Sequence, residues 1–294
     1  MKTYQTVDAL YDDLISTILN KGEQSGDRTG TGTRRLFGTA FKLAFKDNKL
    51  MVPIFKPVNI KAVGAELYCF INGITNVDTL KMLGCNWWEA NLQDANKRWG
   101  TPDNRDLGPV YGAQWVKEYW KNGELTDQLQ ELVHTLKTNP TDRRMYVTAW
   151  NPQEMPGMAL PPCYHGFQCF VNGANELELM FHMRSADVIL GLPHDILLHQ
   201  LLQIMLAAEV GCAIGDLTVT LGDYHIYENH VDASKQFLER IVENADEMYD
   251  TNARRRPSIN AIYDKSIFNF RVDDLNGLMA EYTPMANIKL PMAV

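Results

Sequence analysis

Hydrophobic positions along this chain follow two rhythms, one helical and one extended. Val7, Leu10, Tyr11, Leu14, Ile15, Ile18 and Leu19 recur three and four apart, and Gly22 follows. That spacing predicts an amphipathic helix stopped by glycine. Leu36 to Phe45 reads as a strand, and Val58 to Phe70 returns to helical spacing. Leu129, Leu132, Val133 and Leu136 mark another amphipathic helix, ended by Asn139-Pro140, and a strand-like run follows from Met145 to Trp150. Cys163 opens a strand running through Phe170, and Leu177 to His182 forms a second; Asn172-Gly173 between them predicts a hairpin. Ile196 to Val210 is apolar nearly all round, which predicts a helix buried on every side. Leu217 to Thr220 reads as one more strand. No internal repeat, low-complexity segment or long linker divides these elements, so residues 1–294 read as one domain.

Charge and cysteine content narrow the classes. With 294 residues and a net charge of −8, the chain lacks the basic surplus of a general nucleic-acid binder. A small anionic substrate remains open, because a local arginine cluster holds phosphate even in an acidic protein. The five cysteines are odd in number and contain no CxxC pair, which disfavours a disulfide scaffold or zinc site and favours a reducing cytoplasm. No apolar run is long enough to span a bilayer, and the first residues do not resemble a signal peptide.

Chemistry concentrates in a few stretches. Pro161-Pro162 precede Cys163 and stiffen the backbone there, as a thiol nucleophile that must be aimed requires. A small buried residue opening a strand is the competing interpretation. Asp27-Arg-Thr-Gly-Thr-Gly-Thr33 offers backbone N–H groups and the Arg28 fork to a phosphate, without the Walker pattern. Glu66 lies among Ala65, Leu67, Tyr68 and Phe70, surroundings that disfavour its charged form and suit proton transfer. Trp87 and Trp88 are either core or a stacking surface for a planar ligand. Arg143 and Arg144 form a candidate phosphate clamp, and the strand after the hairpin turn delivers Arg184, Ser185 and Asp187. His225 and Tyr227, two apart, point from one side of an extended segment. No further ligands stand at metal-site spacing.

Taken in order, DRTGTGT, LGPVYGxQW, DRR, PPC, RSxDVxLGLP and GDxHxYxNH resemble the thymidylate synthase superfamily over nearly the whole chain. The resemblance implies an α/β (mixed α+β) fold, a large mixed sheet covered by helices, with two subunits packed sheet to sheet. It implies that Cys163 is the nucleophile and Glu66 the acid/base carboxylate, with Tyr111 and Asp223 in the catalytic set. Arg28, Arg184 and Ser185 match phosphate ligands of the same subunit, while Arg143 and Arg144 match arginines lent by the partner. Gln168, His225, Tyr227 and Asp195 complete the nucleotide set. Lys56, Trp87, Asp187, Gly191 and the C-terminal Val294 match contacts of the co-substrate 5,10-methylenetetrahydrofolate.

The chain departs from the synthase pattern at three places. Asp195 replaces an asparagine whose amide reads uracil; a carboxyl can accept from the cytosine amino group and, when protonated, donate to N3. Deoxycytidylate hydroxymethylases of the superfamily carry this aspartate, although a helix N-cap would also explain it. Tyr164 replaces the histidine after the nucleophile, and Pro57 replaces a basic residue after Lys56. These features point to hydroxymethylation of dCMP, with dUMP methylation or dCMP methylation as the alternatives. A polynucleotide cytosine methyltransferase would need a glycine-rich cofactor loop and a basic groove, and neither is seen. A non-catalytic binding protein would have lost Cys163, Glu66 or the arginines, and all are present.

Overall fold

The computed structural model describes residues 1–27, 29–250 and 255–291; Arg28 and Val294 lie outside the described residues. The strands are β1 (Lys2–Tyr4), β2 (Glu23–Ser25), β3 (Thr33–Leu43), β4 (Tyr119–Lys121), β5 (Glu124–Thr126), β6 (Tyr146–Thr148), β7 (Tyr164–Val171), β8 (Glu176–Asp187) and β9 (Ala213–Tyr227). The helices that matter most are α1 (Val7–Lys21), α2 (Ile60–Ile71), α3 (Val77–Leu83), α4 (Trp88–Trp99), α5 (Gly112–Trp115), α6 (Gln128–Thr138) and α7 (Leu192–Val210).

Seven strands form one sheet in the order β1-β3-β9-β8-β7-β6, with β2 sharing the edge of β3 with β1; β4 and β5 make a separate hairpin. The sheet is mixed: β1 with β3 and β8 with β9 run parallel, and the other pairs run antiparallel. Adjacent parallel strands need a crossover, and α7 supplies it between β8 and β9. The apolar character of α7 lets it lie in the core, where most of its residues are buried. Each of its buried glutamines is bonded through one end of its amide, while Gln200 Nε2 and Gln203 Oε1 have no partner among the described residues. Gln203 donates to the carbonyls of Leu177 (2.8 Å) and Gly215 (3.1 Å), and Gln200 accepts from the Met51 N–H at 2.6 Å.

Alternation along the strands builds a two-faced sheet. Leu177, Leu179, Phe181 and Met183 of β8, with Phe167 and Cys169 of β7, are buried. The intervening positions face outward, where Phe37 is 84% exposed and Phe170 is 58% exposed. Large bare apolar residues on a sheet mark a surface that another surface covers.

Several boundaries differ from the sequence expectation: β3 spans Thr33–Leu43 rather than Leu36–Phe45, β8 continues past His182 to Asp187, and two further shifts have a clear physical reason. Strand β9 runs 15 residues, well past Thr220, because β3 and β8 pair with it on both sides through the polar stretch Gly222 to Tyr227. Helix α7 starts at Leu192 rather than Ile196, since Pro193 is tolerated in a first turn. The Asp106–Trp115 segment, expected as loop, contains α5. Gly112 makes that helix possible: a Cβ there would sit 2.1 Å from Phe70 Cα, so only glycine lets α5 press on α2.

Candidate active site

Cys163 stands one residue before β7 and is partly accessible. Its backbone is held from several directions. Its N–H donates to the Tyr111 hydroxyl at 2.8 Å, and its carbonyl accepts from the Arg184 N–H at 2.9 Å. The Arg184 guanidinium donates to the carbonyls of Pro161 and Pro162, each at 2.9 Å. An arginine expected to hold phosphate thus also clamps the turn that aims the thiol. Tyr111 itself is strained, with φ at 32°, a region that non-glycine residues rarely occupy. Stacking on Phe70 (5.1 Å between centroids, 12° between planes) helps hold it there.

Glu66 is buried on α2, with Trp87 and Trp88 bonded to its carboxyl. Burial pushes its carboxyl up to about 7, against the two indole N–H groups that favour its charged form. Trp87 and Trp88 donate to the same oxygen, Oε1, at 2.7 and 2.6 Å. A carboxyl balanced near neutrality can take and return a proton at working pH. If ionised Glu66 is the working base, kcat should rise with pH through about 7 and level off above it. Glu66→Gln should flatten that limb in a pH–rate profile.

Asp195 lies within the first turns of α7, but it does not cap the helix. Gly191 occupies the N-cap position, and no side-chain cap bond is present. The N-cap explanation for this aspartate is therefore removed. Burial holds its carboxyl well above the usual range, reinforced by the charges of Glu66 and Asp187. A protonated carboxyl both donates and accepts, the pairing that an N3 acceptor and an amino group together require.

Beside this cluster is a cavity of about 500 Å³ lined by Lys56, Asn59, Leu190, His194, Met279 and Leu290, among others. Burial lowers the Lys56 amine to about 8, with Asp187 acting in the opposite sense. An apolar wall carrying two lysines, Lys56 and Lys61, and two amides, Asn59 and Asn287, suits an aromatic carboxylate such as a folate. Asp187 closes the turn into α7 by accepting from the Leu190 N–H at 3.1 Å.

At the end of β9, His225 Nδ1 lies 2.8 Å from Asp223 Oδ1, and Arg35 donates to the other Asp223 oxygen at 3.3 Å. Asp223 therefore orients His225. The Tyr227 ring stands edge-on to His225 at 5.2 Å. Ser185 pairs in register with Asp223, and Asp187 with His225, which brings the sugar and phosphate candidates to one end of the sheet.

Three expected residues stand elsewhere. Arg144 is bonded to Asp142 at 2.7 Å, with its side chain 88% exposed. It lines a separate cleft of about 760 Å³ with Lys117, His134 and Tyr146. Gln168 donates to the Arg143 carbonyl at 3.3 Å, steadying the arginine pair from β7. Sequence reasoning missed other residues of the site. Trp88 was left between core and ligand surface, although the doublet was the signal. His194 and His199 carried none, because their positions in a buried helix gave no pattern to read. Burial lowers His194 to about 4 and His199 to about 3, so both are neutral. Among the described residues, no cluster of three or more His, Cys, Asp or Glu could hold a metal ion, and no helix is long and apolar enough to cross a membrane.

A thiol whose backbone is held by a stiff turn and a carboxyl raised to about 7 are groups that a group-transfer enzyme working through a covalent adduct would use. The thymidylate synthase family model matches residues 9–294. The thymidylate synthase of Zymomonas mobilis is 35% identical over 306 aligned positions, covering 96% of this chain and 97% of that one. The bifunctional dihydrofolate reductase-thymidylate synthase of Leishmania major is 42% identical over 243 positions, covering 79% of this chain and 47% of that one. This chain belongs to the thymidylate synthase family, folate-dependent one-carbon transferases that use methylenetetrahydrofolate and are typically dimeric.

Proposed function

We propose that residues 1–294 form one catalytic domain that transfers a hydroxymethyl group to C5 of dCMP. The observation that carries this reading is Asp195 itself, a carboxyl in the first turns of α7 in place of a uracil-reading amide, which burial and the charges of Glu66 and Asp187 raise well above its ordinary value. Methylenetetrahydrofolate supplies the one-carbon unit. Cys163 adds to C6 of the pyrimidine, which makes C5 nucleophilic enough to take up that unit. Loss of the C5 proton and departure of tetrahydrofolate, with the electrons of its carbon–nitrogen bond, leave an exocyclic methylene on the nucleotide. Water attacks that carbon, its proton passes to Glu66, and expulsion of the Cys163 thiolate from C6 restores the ring. Trp87 and the 500 Å³ cavity hold the folate, while Arg184, Ser185, His225 and Tyr227 orient the nucleotide. Arg143 and the exposed Arg144 beside it reach the phosphate in the partner's site of a sheet-to-sheet dimer.

A second reading is methylation of dUMP, with hydride supplied by the folate. Both relatives are named as thymidylate synthases, and those names back this reading more directly than the first. Two measurements separate the readings. Incubating dCMP and dUMP separately with methylenetetrahydrofolate gives a CH2O mass gain with return of tetrahydrofolate, or a CH2 gain with formation of dihydrofolate. Asp195→Asn should then shift kcat/KM toward dUMP by at least about tenfold, the scale of a buried hydrogen-bond mismatch. Equal use of both bases by the wild type would refute the cytosine assignment.

A further inference from the structure

Tyr164 occupies a place that the mechanism above leaves unused. Its ring is buried one residue after the nucleophile, on the core side of β7. On one side it packs against Tyr111 at 4.4 Å, the residue whose hydroxyl holds the Cys163 N–H. Tyr111 in turn stands edge-on to Trp88 at 5.8 Å, and Trp88 donates to Glu66. On the other side, Tyr164 meets His199 edge-on at 4.8 Å. His199 is fixed too: it stacks on Phe181 at 3.9 Å, and its Nδ1 lies 2.8 Å from the Asp195 carbonyl. Tyr164 is thus locked between the elements that carry the thiol, the base and the cytosine reader. All three lie within electrostatic range of its hydroxyl, with Glu66 the strongest.

We propose that Tyr164 is a positioning residue that holds the attacking water against the exocyclic methylene, with Glu66 as the water's proton acceptor. This inference rests on the water-quench reading of the site. The phenol stays neutral, because burial and the neighbouring acids push it well above its ordinary value. A neutral hydroxyl can donate to the water while Glu66 accepts from it, so the two fix its position and free a lone pair for carbon. In the step itself the water oxygen bonds to the methylene carbon. The π pair of the exocyclic bond returns to the ring, and the released proton goes to Glu66. No oxidant or reductant is consumed.

The test is Tyr164→Phe under single-turnover conditions, with enzyme in excess over dCMP labelled with tritium at C5. The substitution keeps the ring and both packing contacts and removes only the hydroxyl. Tritium leaves before water attacks, so the hydroxymethyl product formed per tritium released isolates the quench. That ratio should fall at least about tenfold, while the Kd for dCMP stays within about twofold. Added 2-mercaptoethanol should capture the stalled methylene as a C5 thioether, through sulfur–carbon bond formation with the thiol proton passing to Glu66. Tyr164→Met, smaller but flexible enough to fill part of the ring's space and without a hydroxyl, is the second variant if Phe does not fold. A ratio within twofold of wild type in a folded variant would overturn the role of Tyr164 while leaving hydroxymethylation intact. Dihydrofolate formation by the wild type would instead overturn the water quench, and this inference with it.

Discussion

Cys163→Ser is expected to abolish both product formation and tritium release from C5-labelled substrate, while nucleotide binding survives. A serine hydroxyl is a far weaker nucleophile toward C6 than a thiolate, and the thiolate is the reactive form of cysteine. The backbone frame should be unaffected. The bonds to Tyr111 and from Arg184 involve the main chain of residue 163, and those of the Arg184 guanidinium go to the proline carbonyls. Loss of chemistry should therefore separate from loss of folding. Activity falling below about 10⁻³ of wild type, with dCMP Kd nearly unchanged, is the expected pattern for a nucleophile. Turnover within tenfold of wild type would mean that another group starts the reaction.

The second large effect is recovery from near zero. Arg143→Ala and Cys163→Ala, each inactive or impaired alone, should regain part of the activity when mixed, unfolded and refolded together. The arginines of one chain serve the partner's site in the proposed dimer. A mixed dimer then has one site with both defects and one with neither. Random reassociation makes about half of the dimers mixed, so activity should return to about a quarter of wild type, counted per site. The exposed arginine and the bare outer sheet face, with Phe37 and Phe170 exposed, both accord with a covering copy. No recovery, with mixed dimers demonstrated by mass, would count against arginines acting across subunits.

Local pattern reached far into the fold, and its reach follows range of interaction. The buried character of α7 and the helix ending at Gly22 were legible because periodicity and glycine capping act within a few residues. The hairpin after Cys163 was legible for the same reason. The full length of β9 was not, because neighbouring strands rather than its own side chains keep Gly222 to Tyr227 extended. The thiol announced itself through two prolines, and Asp195 through its departure from the family pattern.

The sequence by itself determined the family, and it offered Cys163 and Glu66 as candidate nucleophile and acid/base carboxylate, since these readings depend on residue identity and order. Only the tertiary structure decided what each group's surroundings make of it. Glu66 rises to about 7 because α2 buries it beneath two indoles supplied by another segment. Asp195 is no helix cap, because Gly191 takes that position. Arg184 supports the Pro-Pro-Cys turn through contacts between residues about twenty apart. Tyr164, read in the sequence only as a missing histidine, becomes a fixed phenol among three site residues. Solvation and electrostatics depend on what lies nearby in space, and chain order does not encode that proximity directly.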